Sequence, residues 1–223
     1  MTVQFRVMRL SDSCTTMLDT LVARHADNRL ALRVAAVLFV SALTGAAAQV
    51  SVPVPFTQVP FTFQPMVVLL GGLALGSRLG LASQVVYLLA GIVGLPVFAA
   101  SVTLPPGALR LIGPTGGYLM SYPLAAFVVG YLAERGLDRR YMTSLLAMLA
   151  GLFIVYACGA TWLSLFIRSG AVTAPSGLQA ALMAGVYPFV VADIVKLVAA
   201  AGILPGLWTL LGGTESFRRS GRL

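Results

Sequence analysis

Apolar residues run through most of the chain in long stretches, and short polar or proline-rich segments separate them. A helix needs about 20 apolar residues to cross the hydrocarbon core of a bilayer. The pattern predicts six such helices, over Leu30–Gln49, Phe63–Gly76, Leu79–Ala100, Gly113–Ala133, Tyr141–Ile167 and Gly177–Leu211. The predicted fold class is therefore an all-α integral membrane protein with six transmembrane helices.

The second predicted helix is too short to span a bilayer unless it begins within the preceding segment, Ser51–Pro65. That segment contains four prolines, at positions 53, 55, 60 and 65. Each proline removes a backbone donor and disfavours helix in the residue before it. We expect this segment to be extended, and either to face water or to be buried against protein.

The two ends of the chain are more polar than its middle. In the N-terminal segment, residues 1–29, apolar residues over Met8–Val22 recur at roughly helical spacing. This fits a short cytosolic amphipathic helix or a partly ordered tail equally well, and no apolar core of a signal peptide is present there. We expect a membrane domain over residues 30–213 and a basic cytoplasmic tail over 214–223.

Composition supports a membrane protein. The 223 residues are 58% hydrophobic and 10% charged, with a mean hydropathy of +0.92, which leaves too little polar surface for a soluble domain. The net charge of +8 does not indicate nucleic acid, because no basic patch with interleaved aromatic residues accompanies it. Cys14 and Cys158 lie in different environments, so we expect neither a disulfide nor a metal site.

The distribution of arginines predicts the orientation. Cytoplasmic loops of membrane proteins carry an excess of Lys and Arg. With the N-terminus inside, twelve arginines fall on inner segments and two, Arg110 and Arg168, on outer loops. Both termini are therefore predicted to be cytoplasmic. The proline-rich segment and the loops Ala99–Ile112 and Arg168–Ser176 are predicted to face outward.

Two charges interrupt the last apolar stretch. Asp193 and Lys196 are the charged residues of Gly177–Leu211, and Lys196 is the only lysine in the chain. Intramembrane ionisable residues are rare and usually functional, and residues three apart share one helix face. The pair fits either a ligand-binding site or a structural ion pair that holds the last helix to the bundle, and these roles are not exclusive.

The residue inventory argues against an intramembrane hydrolase. The single histidine, His25, lies in the N-terminal segment. A metalloprotease needs paired histidines, and a serine–histidine dyad needs a histidine within the membrane. An aspartyl protease of the membrane needs two carboxylates there, but Glu134 and Asp138 belong to an inner loop.

The glycine-rich element Gly113–Tyr118 does not form a nucleotide site, since no Gly-Lys-Ser/Thr follows it. It fits a helix start instead, with Pro114 in the first turn. Gly116 and Gly117 would allow a ligand or another helix to approach closely, and a purely structural packing role fits as well.

Four elements, in this order and spacing, resemble the BioY family, the biotin-specific S components of energy-coupling-factor (ECF) transporters. They are Val52–Gln64 (VPVPFTQVPFTFQ), Gly94–Phe98 (GLPVF), Leu111–Tyr118 (LIGPTGGY) and Pro188–Lys196 (PFVVADIVK). The resemblance implies a substrate-binding subunit that captures biotin from the outer side of the cell membrane. It also implies delivery with a transmembrane coupling protein and two cytosolic ATPases. We expect no nucleotide site in this chain, so any use of ATP would depend on those partners. No metal or cofactor is expected.

Two other functions stay open at this point. One is a stand-alone biotin transporter of the same fold, which needs no ATPase. The other is an intramembrane enzyme that acts on a lipid or a vitamin precursor, which the inventory of histidines and carboxylates disfavours.

For biotin, the residues suggest a division of roles. Asp193 can accept from a ureido N–H group, and Lys196 can donate to the ureido carbonyl or to the carboxylate. Further candidate contacts are polar groups, close-approach glycines and aromatic walls, namely Gln64, Thr115, Gly116, Gly117, Tyr118 and Phe98. Some relatives carry an arginine where this chain has Leu119, so Arg110 is our substitute candidate for the biotin carboxylate.

The resemblance also implies a contact with the coupling protein. In the family an Ala-x-x-x-Ala element on the first helix makes this contact. Ala31 and Ala35 match its spacing near the predicted cytoplasmic end, and small residues four apart let helices pack closely.

Overall fold

The computed structural model describes residues 16–24, 28–52, 54, 57–100, 107–168 and 177–210. These residues form a helical bundle with one short β-hairpin. The helices are α1 (Met17–Arg24), α2 (Arg29–Gln49), α3 (Gln64–Leu75), α4 (Ser77–Ile92), α5 (Gly116–Leu132), α6 (Tyr141–Arg168), α7 (Leu178–Gly185) and α8 (Tyr187–Ala200). A last helical segment, α9, covers residues 203–210. The strands are β1 (Ser51–Val52) and β2 (Phe61–Thr62).

Helix α5 lies at the centre of the bundle, packed against α3, α4 and α6. Small residues allow this close packing. A Cβ atom on Gly72 of α3 would stand 2.7 Å from the carbonyl oxygen of Ala126, and one on Gly130 would overlap the backbone of Gly76 and Ser77. Only glycine fits these two positions without moving a neighbouring backbone.

Within the described residues, four helical stretches are long and apolar enough to cross a membrane: Arg29–Gln49, Gly116–Leu137, Tyr141–Ile167 and Tyr187–Leu210. Helices α3 and α4 are apolar but shorter. At 12 residues, α3 is about 18 Å long. Its side chains Val68, Leu69 and Leu73 are fully enclosed by other helices. The architecture is that of a mostly helical, multi-pass membrane protein.

The predicted helices agree with α2, α3, α5 and α6 to within a few residues. The prediction that the third helix continues to Ala100 is wrong, because α4 ends at Ile92. Gly94 then adopts a φ of +101°, a left-handed conformation that favours glycine. Pro96, which cannot donate to a helix, follows shortly afterwards.

The prediction of one continuous last helix over Gly177–Leu211 is also wrong. The helix breaks at Val186 (φ −124°, ψ −61°), between α7 and α8, and again at residues 201–202. Pro188 has no N–H, so the carbonyl of Ala184 lacks its usual helical donor. Regular helical geometry is interrupted there, and Asp193 and Lys196 lie on α8, after the break.

The prediction of an extended conformation over Ser51–Pro65 is wrong at Gln64 and Pro65, which belong to α3. Two short strands lie earlier in the segment. Strands β1 and β2 pair antiparallel, with Ser51 opposite Thr62 and Val52 opposite Phe61. The predicted extended conformation is confirmed at these four positions. The first two prolines of the segment, positions 53 and 55, lie outside the described residues.

Part of the N-terminal segment forms helix α1. A short helix was one of the two interpretations of its spacing. Met17, Leu18 and Val22 are buried, and Asp19 forms an ion pair with Arg33 of α2 at 3.2 Å. Residues 1–15 and 25–27, with Cys14 and His25, and the predicted tail over 214–223 lie outside the described part of the chain.

Candidate functional site

A cleft opens beside the hairpin, between the start of α3, the loop after α4 and the start of α5. It measures about 590 Å³, including the space open to solvent at its mouth. Five of the predicted site residues line it: Gln64, Phe98, Arg110, Thr115 and Tyr118. Leu119, the next residue, and Tyr122, about one turn further along α5, also line the cleft. The folded chain thus brings residues from separate sequence elements together in one concave site.

Gln64 is fixed at the base of the cleft. Its side chain is buried, and its amide nitrogen donates to the Tyr87 hydroxyl at 2.6 Å. That hydroxyl in turn donates to the carbonyl of Val97 at 3.3 Å. The Tyr87 ring meets Phe98 edge-on, with centroids 5.5 Å apart. These contacts hold an amide and an aromatic wall in a defined position around the cleft.

Arg110 lies in a short 3₁₀ turn, Ala108–Arg110, and is 8% exposed. Burial lowers the pKa of its guanidinium below the ordinary value. A cation with reduced access to water gains from an anionic partner. Thr115 lies half-buried immediately before α5, and its side chain makes no cap hydrogen bond to that helix. This side of the cleft therefore combines a cation with a hydroxyl.

Asp193 and Lys196 form a buried ion pair. The Nζ atom of Lys196 lies 2.5 Å from Oδ1 of Asp193 and donates to the carbonyl oxygen of Thr62 at 2.6 Å. It also lies 3.8 Å from the ring centroid of Phe61. The other carboxylate oxygen, Oδ2, accepts from the Tyr156 hydroxyl at 2.5 Å. The pair therefore connects α8 to β2 and to α6.

The ion pair lies behind the cleft wall. Thr62 lines the cleft, and its carbonyl oxygen is the acceptor that Lys196 holds. Asp193 and Lys196 are not among the described cleft-lining residues. A ligand would reach them by replacing the Thr62 carbonyl, so a direct contact with these two side chains stays a prediction.

The glycine-rich element brings helices together. A Cβ atom on Gly117 would overlap the side chain of Trp162 on α6, and one on Gly116 would overlap the carbonyl of Leu111. The Trp162 indole donates to the carbonyl of Gly113 at 2.9 Å. The predicted close approach of another helix is thus present. Neither glycine lines the cleft in the described structure, and their contact with a ligand stays a prediction.

Tyr118 has two roles at once. It lines the cleft, and its hydroxyl donates to the carbonyl of Gly185 at 2.9 Å. Gly185 is the last residue of α7, immediately before the break at Val186. The Tyr118 hydroxyl therefore hydrogen-bonds a backbone carbonyl at the point where the helix breaks.

Ala31 and Ala35 lie away from the cleft, near the start of α2. Both are exposed, as are their neighbours Leu30 (77%) and Val34 (50%). The opposite face of the same helix contributes Val40 to a small cluster with Leu18 and other residues. One face of α2 is therefore available to a partner or to lipid.

Sequence reasoning missed Thr62, Tyr87 and Tyr156. Thr62 acts through its backbone carbonyl, which no side-chain pattern reveals. Tyr87 and Tyr156 were only two of many scattered aromatic residues. The described residues contain no group of three or more His, Cys, Asp or Glu side chains that could hold a metal ion.

Comparison with known proteins gives a consistent result. The family model described as the BioY family matches residues 18–213. A probable biotin transporter BioY from Pyrococcus horikoshii is 41% identical over 163 residues, which are 73% of this chain and 87% of that protein. The biotin transporter BioY from Thermotoga maritima is 39% identical over 150 residues, 67% of this chain and 81% of that protein.

A solved structure shares the fold. It is the crystal structure of the S-component for biotin from an ECF-type ABC transporter, which matches with a TM-score of 0.70. The match covers 82% of this chain and 94% of that chain, at 24% identity. Since the family model covers most of the sequence and close relatives match along most of their length, the chain belongs to the BioY family.

Proposed function

We propose that this chain is a biotin-binding S component, which captures biotin in an outward-facing membrane pocket and delivers it with an ATP-driven coupling module. Membership of the BioY family and the names of its relatives support the substrate. The observation that carries the proposal is the cleft, which combines an amide, a guanidinium and a hydroxyl with aromatic walls. Sites for vitamin-sized ligands are concave and mostly apolar, with a few placed polar groups.

Biotin has one group for each part of this site. Its carboxylate matches the buried guanidinium of Arg110, and its apolar ring and chain match Phe98 and Tyr118. Its ureido group, with two N–H donors and a carbonyl, matches Gln64 and the ion pair behind the wall. Thr115 adds a hydroxyl at the mouth, and Gly116 and Gly117 are proposed as points of close approach.

Asp193 and Lys196 contact the ureido group in the bound state. The ureido carbonyl is the same kind of acceptor as the peptide carbonyl of Thr62, which Lys196 holds at 2.6 Å. If the ureido carbonyl replaces the Thr62 carbonyl, Lys196 still makes the same number of hydrogen bonds. Asp193 then accepts from a ureido N–H, and hydrogen bonds to an ionised group are stronger than neutral ones.

The proposed topology has six spans with both termini cytoplasmic, in the cytoplasmic membrane of a bacterial cell. Helices α3 and α4 complete the six although they are short, which is supported by the burial of α3 among other helices. Labelling of Arg139→Cys only from inside and of Arg168→Cys only from outside is the expected result. Labelling of both from one side would contradict this topology.

The partners in this proposal are a transmembrane coupling protein, which meets α2 at Ala31 and Ala35, and two cytosolic ATPases. Both alanines are exposed on a face that also presents Leu30 and Val34. Small side chains at this face would let a partner helix approach closely. A stand-alone transporter of the same fold is the alternative.

Binding and uptake measurements test the function and the partner separately. Purified protein should bind biotin and should not bind thiamine or riboflavin. Replacement of both alanines, Ala31→Leu with Ala35→Leu, should abolish ATP-dependent uptake of labelled biotin while leaving binding intact. The matched control is Ala42→Leu with Ala46→Leu, which changes two exposed alanines further along the same helix.

The outcomes separate the hypotheses. No preference for biotin would contradict the proposed substrate. Uptake that persists in the Ala31/Ala35 variant would place the contact elsewhere. Biotin uptake in cells without any coupling module would favour the stand-alone transporter.

A further inference from the structure

The carboxylate of Asp193 is held by donors from two helices. Lys196, on the same helix α8, holds Oδ1 at 2.5 Å. Tyr156, on α6, donates its hydroxyl to Oδ2 at 2.5 Å. Hydrogen bonds to an ionised group are stronger than bonds between neutral groups. Because the donors approach from different helices, the plane of the carboxylate is fixed relative to the bundle.

The apolar surroundings of Tyr156 account for an aromatic ring at this position but not for a hydroxyl group. The ring lines an apolar groove between α6 and the α7–α8 segment, beside Leu152, Phe153 and Val190. Phenylalanine would fill that space equally well. The hydroxyl is the group that distinguishes tyrosine from phenylalanine here, and it donates to Asp193.

We propose that Tyr156 is a positioning residue for ligand recognition, whose hydroxyl orients the Asp193 carboxylate toward the N–H donors of a cyclic urea. This inference rests on the proposed function. An ionised carboxylate has two oxygens and about four acceptor positions. Lys196 and Tyr156 each use one position, so positions on both oxygens remain for a ligand. Tyr156 itself does not line the cleft in the described structure.

The fixed carboxylate has a consequence for specificity. With Oδ2 released, the carboxylate can rotate about its Cβ–Cγ bond, and the ligand must then order it on binding. A site built to bond N–H donors rejects an analogue that lacks them, because its buried acceptors are left unpaired. Tyr156 should therefore strengthen binding of ureido compounds selectively, rather than of every molecule that fits the cleft.

The test compares two tyrosines that connect the same two helices. Tyr156→Phe removes the bond to Asp193. Tyr141→Phe is the matched control, since the Tyr141 hydroxyl donates to the carbonyl of Val198 on α8 at 2.9 Å, away from the cleft. In purified protein, Tyr156→Phe should weaken biotin binding about tenfold, the effect of roughly 1.4 kcal/mol. Tyr141→Phe should change it by less than about twofold.

A second measurement separates positioning from general stability. The probe is a biotin derivative methylated on both ureido nitrogens, which has no N–H donor for Asp193. Tyr156→Phe should weaken biotin but not this derivative, so the ratio of the two affinities should fall about tenfold. The ratio does not depend on how much of the variant is folded. On an Asp193→Asn background, Tyr156→Phe should add less than about twofold.

Three results would overturn the inference: an unchanged biotin affinity in Tyr156→Phe, equal weakening of both ligands, or the same weakening on the Asp193→Asn background. Failure of the unmodified protein to bind biotin would overturn the proposed function, and this inference with it. Biotin binding that is normal in both the parent and Tyr156→Phe would overturn the inference alone.

Discussion

Two buried aspartates show how differently one side chain can be used in the same bundle. Asp193, 6% exposed, lies near the cleft, and donors occupy both of its oxygens. Asp138, 0% exposed, lies in the turn between α5 and α6. Its Oδ2 accepts from the Trp208 indole at 2.8 Å. Its Oδ1 has no hydrogen-bond partner among the described residues.

The difference lies in the compensation of charge. Asp193 faces a lysine at 2.5 Å, which offsets the cost of its burial and leaves an ionised acceptor beside the cleft. Burial raises the pKa of Asp138 above its ordinary value, and the bond from Trp208 and the charge of Arg139 oppose this only in part. Asp193 thus has the charge partner that its proposed recognition role needs, whereas Asp138 connects to α9 through Trp208.

The largest expected effect is at Asp193. If the carboxylate contacts biotin, Asp193→Asn should weaken binding by about 2–5 kcal/mol, as truncation of one member of a buried pair does. That corresponds to roughly two or more decades in the dissociation constant. Lys196→Met should have a similar effect. Asp138→Asn, the same chemical change away from the cleft, is the control and should leave biotin affinity unchanged.

The double variant Asp193→Asn with Lys196→Met decides between recognition and a purely structural pair. Removal of one partner strands a buried charge and harms folding whichever role is correct, but removal of both charges relieves that cost. Binding should stay lost in the double variant if the pair contacts biotin. A monodisperse double variant that binds biotin as tightly as the parent would reject both residues as ligand contacts.

A smaller effect is expected at Arg110, which tests the assignment of the biotin carboxylate. Arg110→Gln should weaken biotin by about 1.5–3 kcal/mol, the contribution of a hydrogen bond to a charged group. The uncharged amide of biotin should bind the parent and the variant with similar affinity. Titration calorimetry of both ligands on both proteins gives the comparison. Equal weakening of the two ligands would mean that Arg110 shapes the loop without contacting the carboxylate.

The sequence predicted the parts of this molecule that depend on hydrophobic length. Helices α2 and α6 stand out because long apolar runs have one stable form in a bilayer. The breaks in the last stretch were missed because Val186 lies in an unbroken apolar run, and Pro188 alone does not show whether a helix kinks or continues. A tertiary contact that local sequence does not reveal, the hydrogen bond from Tyr118 to Gly185, lies beside the break.

The sequence drew attention to one part of the candidate site, where two charges interrupt an apolar stretch. Asp193 and Lys196 stood out because apolar residues surround them, and the structure pairs them at 2.5 Å. Tyr156 gave no such signal, since a tyrosine in an apolar helix has the pattern of any interfacial aromatic residue. Its hydrogen bond to Asp193 depends on the approach of α6 to α8, which is a property of the fold and not of the local sequence.

The smallest expected effect is on stability, at Asp138. Since burial raises the pKa of this carboxyl in the folded state, the folded protein binds the proton more tightly than the unfolded chain does. Ionised Asp138 therefore destabilises the fold above the raised pKa, and this penalty disappears as the pH falls through it. Asp138→Asn keeps an oxygen for Trp208 but does not titrate.

The variant Asp138→Asn should therefore raise the apparent melting temperature in detergent at pH 8, by no more than a few degrees, since 1 kcal/mol corresponds to about 2–4 °C in a chain of this length. The gain should shrink as the pH is lowered through the raised pKa of Asp138 toward the ordinary value of an aspartate. Glu134→Gln is the matched control in the same turn. Oε1 of Glu134 accepts from the backbone N–H and the hydroxyl of Ser77, both at 2.7 Å, so its neutralisation should lower stability. A loss of stability in Asp138→Asn that is largest at high pH and shrinks as the pH falls would show that the ionised carboxylate stabilises the fold, and that the contrast with Asp193 is mistaken.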